Sequence, residues 1–217
     1  MANLSRYIDH TLLVADAQPK DIKRLCEEAK EFSFYSVCVN PTYVHYAKQL
    51  LQQTDVKVCT VVDFPLGASG INNKATQAEY CCRDGADEID MVIPVGLLKA
   101  GRNDEVRDHI QAVAKKVKKH GKILKVIVET GFLNHADKIV ACKILNTCEV
   151  DFIKTSTGFG PSGAKVEDIK LFKAELNDQI KIKASGGIKT AQQARELIEA
   201  GADRLGTSAS VAIVSGS

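Results

Sequence analysis

Apolar and polar positions along this chain follow two periods that take turns. Short runs that alternate every second residue or are almost wholly apolar, at 36–40, 56–63, 88–93, 125–129, 152–156, 181–185 and 204–207, predict buried strands. Between them, apolar residues recur every three to four positions and predict helices near 21–31, 74–84, 104–120, 135–146, 166–176 and 190–200, with a shorter one through Val44, Ala47 and Leu51. The 21–31 segment, for instance, puts Ile22, Leu25, Cys26 and Ala29 on one face behind a helix-starting Pro19. With 7–11 as the first strand, eight strands alternate with helices. Such alternation argues for a parallel sheet, and eight units in 217 residues suit the small end of the (β/α)8 (TIM) barrel, an α/β fold, as a single domain over 1–217. The main rival, an open doubly wound sheet, has no Gly-x-Gly-x-x-Gly after the first strand and no P-loop to support it. After Ser208 only 209–217 remain, so the last helix has about two turns at most.

Two strand entrances share a signature. Gly85-Ala86-Asp87 precedes the fourth strand and Gly201-Ala202-Asp203 the eighth, each closing an apolar-faced helix with a glycine. This predicts a structural unit used more than once.

Composition narrows the function classes. The net charge is only +2, and the basic stretch with Lys115, Lys116, Lys118, Lys119 and Lys122 follows Asp104, Glu105 and Asp108 and contains no aromatics. It reads as a solvated helix face, not a nucleic-acid patch. The seven cysteines form no Cys-x-x-Cys pair, and Cys38, Cys59 and Cys142 sit among apolar residues, which points to a reducing compartment. Residues 1–6 lack an apolar signal core and no run of about 18 apolar residues exists, so a cytoplasmic protein without membrane partners is expected.

Candidate chemistry follows from the pleat. Active sites of such barrels lie at the C-terminal strand ends, and side chains alternate between the interior and the helix layer. Ile89, Met91 and Ile93 suit the helix layer, which turns Asp90 inward; Ile153 likewise turns Lys154 inward, and Ile182 with Ala184 turn Lys183 inward. A lysine in an apolar strand needs a partner or a use, because burying an unpaired ammonium costs several kcal/mol. Two lysines sharing one low-dielectric site disfavour each other's protonation, so one can become a free amine able to attack a carbonyl while the carboxylate moves protons. Lys125 and Lys181, placed at the N-terminal ends of their strands, are expected to serve stability. On these residues alone, a structural ion pair, a non-catalytic phosphate-binding barrel and an isomerase with Asp90 as base stay open.

Three clusters follow the last three strands: Thr155-Ser156-Thr157-Gly158, Ser185-Gly186-Gly187 and Gly206-Thr207-Ser208. Glycines let backbone N–H groups approach an anion, and barrels often hold phosphate after strands seven and eight. The five histidines show neither His-x-His nor His-Glu-x-x-His spacing, so no metal site is expected; only His10 lies near a strand mouth. Cys38 points inward and reads as a core thiol.

At this point the chain resembles the deoxyribose-phosphate aldolase family, class I aldolases with a (β/α)8 barrel. The resemblance rests on Ile8-Asp9-His10-Thr11-Leu12, Glu88-Ile89-Asp90-Met91-Val92, Lys125-Val126-Ile127-Val128-Glu129-Thr130, Phe152-Ile153-Lys154-Thr155-Ser156-Thr157-Gly158, Lys183-Ala184-Ser185-Gly186-Gly187-Ile188 and Gly206-Thr207-Ser208, in family order along nearly the whole chain. It implies reversible cleavage of 2-deoxy-D-ribose 5-phosphate to D-glyceraldehyde 3-phosphate and acetaldehyde, with no metal or organic cofactor, by a homodimer or homotetramer. It further implies that Lys154 is the Schiff-base lysine, Lys183 the lysine that favours its neutral form, and Asp90 the proton-relay carboxylate. Gly186, Gly187, Gly206 and Ser208 match phosphate-binding positions, Thr155 and Gly158 fall in the adjoining substrate loop, and Asp9 matches a pocket residue at the mouth of the first strand. The short C-terminus implies a looser grip on phosphate if the family's tail closes that end.

Overall fold

Strands with an apolar outer face and helices with one apolar stripe can bury both only against each other, and eight such units close the sheet on itself. A computed structural model describes residues 4–216; residues 1–3, part of the stretch expected to lack a signal core, lie outside the described residues. The strands are β1 (Ile8–Leu12), β2 (Ser36–Val39), β3 (Lys57–Val62), β4 (Glu88–Val92), β5 (Ile123–Ile127), β6 (Phe152–Lys154), β7 (Lys181–Ser185) and β8 (Arg204–Thr207). They form one closed parallel barrel in sequence order, with β8 pairing back to β1 through Asp9 and Gly206. The helices are α1 (Pro19–Glu31), α2 (Val44–Leu50), α3 (Ile71–Arg83), α4 (Val95–Lys99), α5 (Asn103–Lys119), α6 (His135–Leu145), α7 (Val166–Glu175), α8 (Ala191–Glu199) and α9 (Ser210–Ser215). The expected TIM barrel is therefore the observed fold. The short α4 was not foreseen, because its single turn carries too few apolar repeats to register.

The core has two unlike parts. A large apolar cluster lies between the outer strand faces and the helices; Ile22, Leu25, Cys26 and Ala29 of α1 enter it, as do Ile89, Met91, Ile153, Ile182 and Ala184 of the strands. Inside the barrel, where bulky aliphatic residues ordinarily dominate, only Leu13, Cys38, Cys59 and Val61, with Phe64 beside them, form an apolar patch. Much of the remaining interior is charged, with Ser36 and Phe152 set among the charges.

The repeated Gly-Ala-Asp has a structural cause. Gly85 and Gly201 adopt φ of 108° and 116°, which a side chain would strain. Each following aspartate sits just before its strand and accepts a backbone N–H from the preceding one: Val58 to Asp87 Oδ2 at 3.0 Å, and Ile182 to Asp203 Oδ2 at 2.9 Å. Asp151, before β6, does the same for Leu124 at 2.7 Å without the glycine signature. These carboxylates also anchor the basic face of α5 and its neighbour, through Lys118 with Asp151 and Lys122 with Asp87. No helix among the described residues is long and apolar enough to cross a membrane.

Removing one of these clasps strands a backbone donor. Asp87→Ala is expected to cost ~1–3 kcal/mol, since the Val58 N–H and the Lys48 ammonium both lose their acceptor. Urea unfolding reads this as a lower midpoint at constant slope; an unchanged midpoint would refute the clasp's role.

Candidate active site

The charged interior is built by strand parity. On β4 the alternation that sends Ile89 and Met91 outward sends Glu88 and Asp90 inward; the same rule places Lys125 of β5, Lys154 of β6, Lys183 of β7, Arg204 of β8 and Asp9 of β1 inside. Asp90 is fully buried and takes cations on both oxygens. Its Oδ2 accepts from Lys154 Nζ and Lys183 Nζ, each at 2.8 Å, and its Oδ1 from Lys125 Nζ at 2.8 Å. Below it, Lys183 also meets Asp9 at 2.5 Å, and Lys125 meets Glu88 at 2.5 Å. Arg204 closes the floor against Asp9 at 2.8 Å and Glu88 at 3.1 Å, with its guanidinium 3.4 Å from the centroid of the Tyr35 ring.

Burial opposes every charge in this network, and the partners decide the outcome. Desolvation would raise the Asp90 carboxyl, but Lys125, Lys154 and Lys183 together hold it well below the usual carboxylate range. Asp9 is likewise driven down against its burial, by Lys183, then Arg204 and Lys125. Burial favours neutral amines, yet Asp9 and Asp90 push Lys183 above its ordinary value, and Asp90, Cys59 and Glu88 do so for Lys125. The formal count is four cations (Lys125, Lys154, Lys183 and Arg204) against three carboxylates (Asp9, Glu88 and Asp90). Lys154 is the cation held by a single carboxylate; Lys183 has two, and Lys125 has three within 4.0 Å.

Lys154 is also the member of this network that lines a cavity. A cavity of ≈ 250 Å³ opens over it at the C-terminal strand ends, lined by Lys154, Gly158, Gly186, Gly187, Gly206 and Ser208 among others. Lys189 lines it too and is exposed. A larger but shallower hollow by Thr42, Gln77 and Tyr80 lies on the outer helix layer, away from the charged groups.

The glycines have local reasons. Gly187 adopts φ 75°, and a Cβ on Gly206 would come within 3.0 Å of Lys183 Cε, so the bare backbone there lets the lysine stem pass. The β6–α7 loop is held by Glu129, whose Oε2 accepts from Thr157 N at 3.1 Å and Thr157 Oγ1 at 2.5 Å. Thr157 Oγ1 in turn accepts from Phe159 N, and the Phe159 ring meets Phe64 edge-on, at 5.4 Å, on the cavity rim.

Two residues expected at the substrate lie elsewhere. Asp9 is not at the mouth of β1 but at its second position, sealed beneath Lys183, where it also accepts from Ser36 Oγ at 2.7 Å. Thr155 points away from the cavity and clasps β7, donating to Ser185 O and accepting from Ser185 N, each at 3.0 Å. Asp90 meets Lys154 from below and shares the same oxygen with Lys183, the ladder partner of Lys154 on β7; neither Asp90 nor Lys183 lines the cavity. His10 faces the helix layer, where its ring nitrogens bridge Ser210 Oγ at 2.9 Å and Glu28 at 2.7 Å, tying α9 and α1 to β1.

Sequence reasoning missed Glu88 and Arg204, and gave Lys125 a stabilising role at the entrance of its strand. The start of β5 falls at Ile123, two residues before the expected strand start, so Lys125 sits mid-strand opposite Asp90 and not at the strand's entrance. Glu88 and Arg204 share the parity of Asp90 and Gly206, and that signal was available. Lys181, by contrast, is exposed at the entrance of β7.

Lys125→Met leaves Glu88 and Asp90 each short of a cation and is expected to cost ~3–5 kcal/mol. Because the Asp90 pKa is depressed in the fold, its contribution is complete above the unfolded value near 3.9 and is lost as pH falls below it. Urea titrations at neutral pH and at about pH 3 should therefore show the gap between the two proteins narrowing on acidification. A gap of equal size at both would contradict the network.

Comparison with known proteins agrees with this fold. Residues 4–215 match the family model described as DeoC/LacD family aldolase. A deoxyribose-phosphate aldolase of Caldanaerobacter subterraneus subsp. tengcongensis is 50% identical over 215 residues, covering 99% of this chain and 93% of that protein. One of Dictyoglomus turgidum is 51% identical, covering 98% and 96%. Among solved structures, the aldolase QR15 superposes with TM-score 0.94 at 38% identity, covering 100% of this chain and 96% of that one. The deoxyribose phosphate aldolase of Aeropyrum pernix, described as a tetramer, superposes with TM-score 0.92 at 28% identity, covering 98% and 90%. A (β/α)8 barrel with a lysine beneath its mouth and a family match along its length lead to one statement: the chain belongs to the DeoC/LacD family of aldolases.

Proposed function

We propose that the protein cleaves 2-deoxy-D-ribose 5-phosphate reversibly to D-glyceraldehyde 3-phosphate and acetaldehyde, with Lys154 as the amine that forms a Schiff base. The observation that carries this reading is the unequal hold on the buried lysines. Removing the Lys154 proton gives up one carboxylate contact and leaves three cations facing three carboxylates; removing one from Lys183 or Lys125 would break more pairs in a fully buried site. Lys154 is thus the lysine suited to act as a free amine, and it is the one with access to the cavity.

The free amine adds to the C1 aldehyde and the carbinolamine loses water, with Asp90 taking and returning the protons over its 2.8 Å contact. The iminium then accepts the electron pair of the C2–C3 bond as that bond breaks and the C3 hydroxyl gives up its proton. Glyceraldehyde 3-phosphate leaves, and an enamine remains on Lys154. Protonation at carbon restores the iminium, and water releases acetaldehyde. None of these steps asks for a metal or an organic cofactor. Lys183, held between Asp9 and Asp90, keeps its charge beside the reacting amine.

The phosphate belongs at Gly186, Gly187, Gly206 and Ser208, where glycine backbone and a serine border the cavity. Lys189 supplies the nearby positive charge. This grip holds C1 over the amine and acts through positioning. Assembly as a homodimer or homotetramer in the cytoplasm accords with the family reading.

The purified protein should release acetaldehyde from 2-deoxy-D-ribose 5-phosphate, an outcome an isomerase cannot give. Lys154→Met should lower kcat by at least ~10³-fold while remaining folded; turnover within tenfold of the parent would sink the assignment. Lys189→Ala should raise KM for the phosphorylated substrate by about tenfold and leave kcat nearly unchanged, as expected for loss of a charge-assisted phosphate contact. Equal KM values in the two proteins would remove Lys189 from the phosphate site.

A further inference from the structure

The interior wall opposite the lysines carries two thiols. Cys38 of β2 and Cys59 of β3 are direct partners in the parallel ladder, so their side chains leave the sheet on the same face; both are fully buried beside Leu13, Val61 and Phe64. Cys59 Sγ lies 3.2 Å from Asp90 Oδ1 and 3.3 Å from Lys125 Nζ. The two sulfurs and an Asp90 oxygen all lie within 4.8 Å of one another. The aldolase cycle uses neither thiol.

We propose that Cys38, Cys59 and Asp90 form a site for a thiophilic divalent cation of the zinc or cadmium type, and that filling it silences the aldolase by drawing Asp90 away from Lys154 and Lys183. Zinc takes sulfur at about 2.3 Å and carboxylate oxygen at about 2.0–2.2 Å, and its tetrahedral geometry sets neighbouring donors roughly 3.5–4 Å apart. Donors already within 4.8 Å reach that spacing by small side-chain rotations on two adjacent strands and a third. Paired thiolates select such metals over the hard cations that carboxylates alone would hold. Leu13 belongs to the thiol cluster and also lines the cavity, so the cavity borders the cluster at that side chain, and a water from the cavity can fill the fourth position.

The charge balance permits the exchange. Each thiol releases its proton to solvent, so one divalent cation replaces two protons and the formal charge of the network is unchanged. No atom changes oxidation state. A second grouping, Asp9 with Cys59 and Glu88, has both carboxylates spanned by Lys125 and Arg204; in the proposed site the cations are held by Asp90 and Cys59, and Cys38 has no ionic partner to give up. Binding at this site is independent of the proposed function; only the loss of activity rests on it.

The test titrates the metal-free full-length protein with cadmium and follows the ultraviolet thiolate-to-metal charge-transfer band. The expected result is a band complete at one equivalent, with affinity reduced about tenfold or more in Cys38→Ser and in Cys59→Ser, since even loss of a supporting hydrogen bond weakens metal sites by 10–100-fold. Cys148→Ser, on the outer layer, should leave the band unchanged. A one-equivalent band that survives both site variants would overturn the proposal. If either variant fails to fold, X-ray absorption of the wild-type protein with one equivalent of zinc decides: two sulfur ligands support the site, and a shell without sulfur removes it. Zinc bound through these thiols with full aldolase turnover would overturn the silencing. An intact site in a protein that releases no acetaldehyde would instead remove the aldolase reading and leave the metal site standing.

Discussion

Asp90 is the constraint on which the rest of the interior depends. A fully buried carboxylate that accepts three lysines, at 2.8 Å each, is stable only if every cation around it is placed by a strand and none can retreat to water. β4, β5, β6 and β7 supply the four groups, and the closed parallel register fixes their heights. A shift of one residue in any of these strands would turn its charge into the apolar helix layer, where nothing could pair it. The network is therefore a register lock.

The stability of such an interior comes from elsewhere. Buried ion pairs gain little net free energy after desolvation, whereas the apolar layer between strands and helices removes a large surface from water. The outer layer holds the barrel shut and the interior uses that rigidity. Backbone clasps from Asp87, Asp151 and Asp203 fix the strand entrances, and Arg204 joins β8 to β1 and β4 at the floor. Access is then granted at one end, where Lys154 meets the cavity. The cation held by a single carboxylate is also the one that lines the cavity, which links packing to chemistry.

Much of this is legible in the sequence because both signals are periodic. The turn-taking of period two and period 3.6 gives the barrel, and strand parity turns Asp90, Lys154 and Lys183 inward. Parity fails where a strand boundary is misjudged: the two polar residues of Lys122 and Lys125 around Ile123 and Leu124 obscure the start of β5, and Lys125 is taken for an entrance residue. Glu88 and Arg204 were overlooked for a different reason. Charges at strand entrances usually reach solvent, and only the closed barrel, with Tyr35 and Phe152 beneath, keeps Arg204 inside. The depth of Asp9 and the sideways turn of Thr155 depend on how far each strand projects beyond its neighbours, a property of the sheet's stagger that no single strand encodes.

The central claim is that one lysine among the three around Asp90 reacts as the free amine. Borohydride reduction in the presence of acetaldehyde, followed by peptide mass mapping, tests it most directly, because the reduced imine leaves a permanent N-ethyl group on the lysine that formed it. The account predicts a single ethyl group on Lys154 and none on Lys125 or Lys183. An ethyl group on Lys183, or no adduct on any of the three, would contradict it.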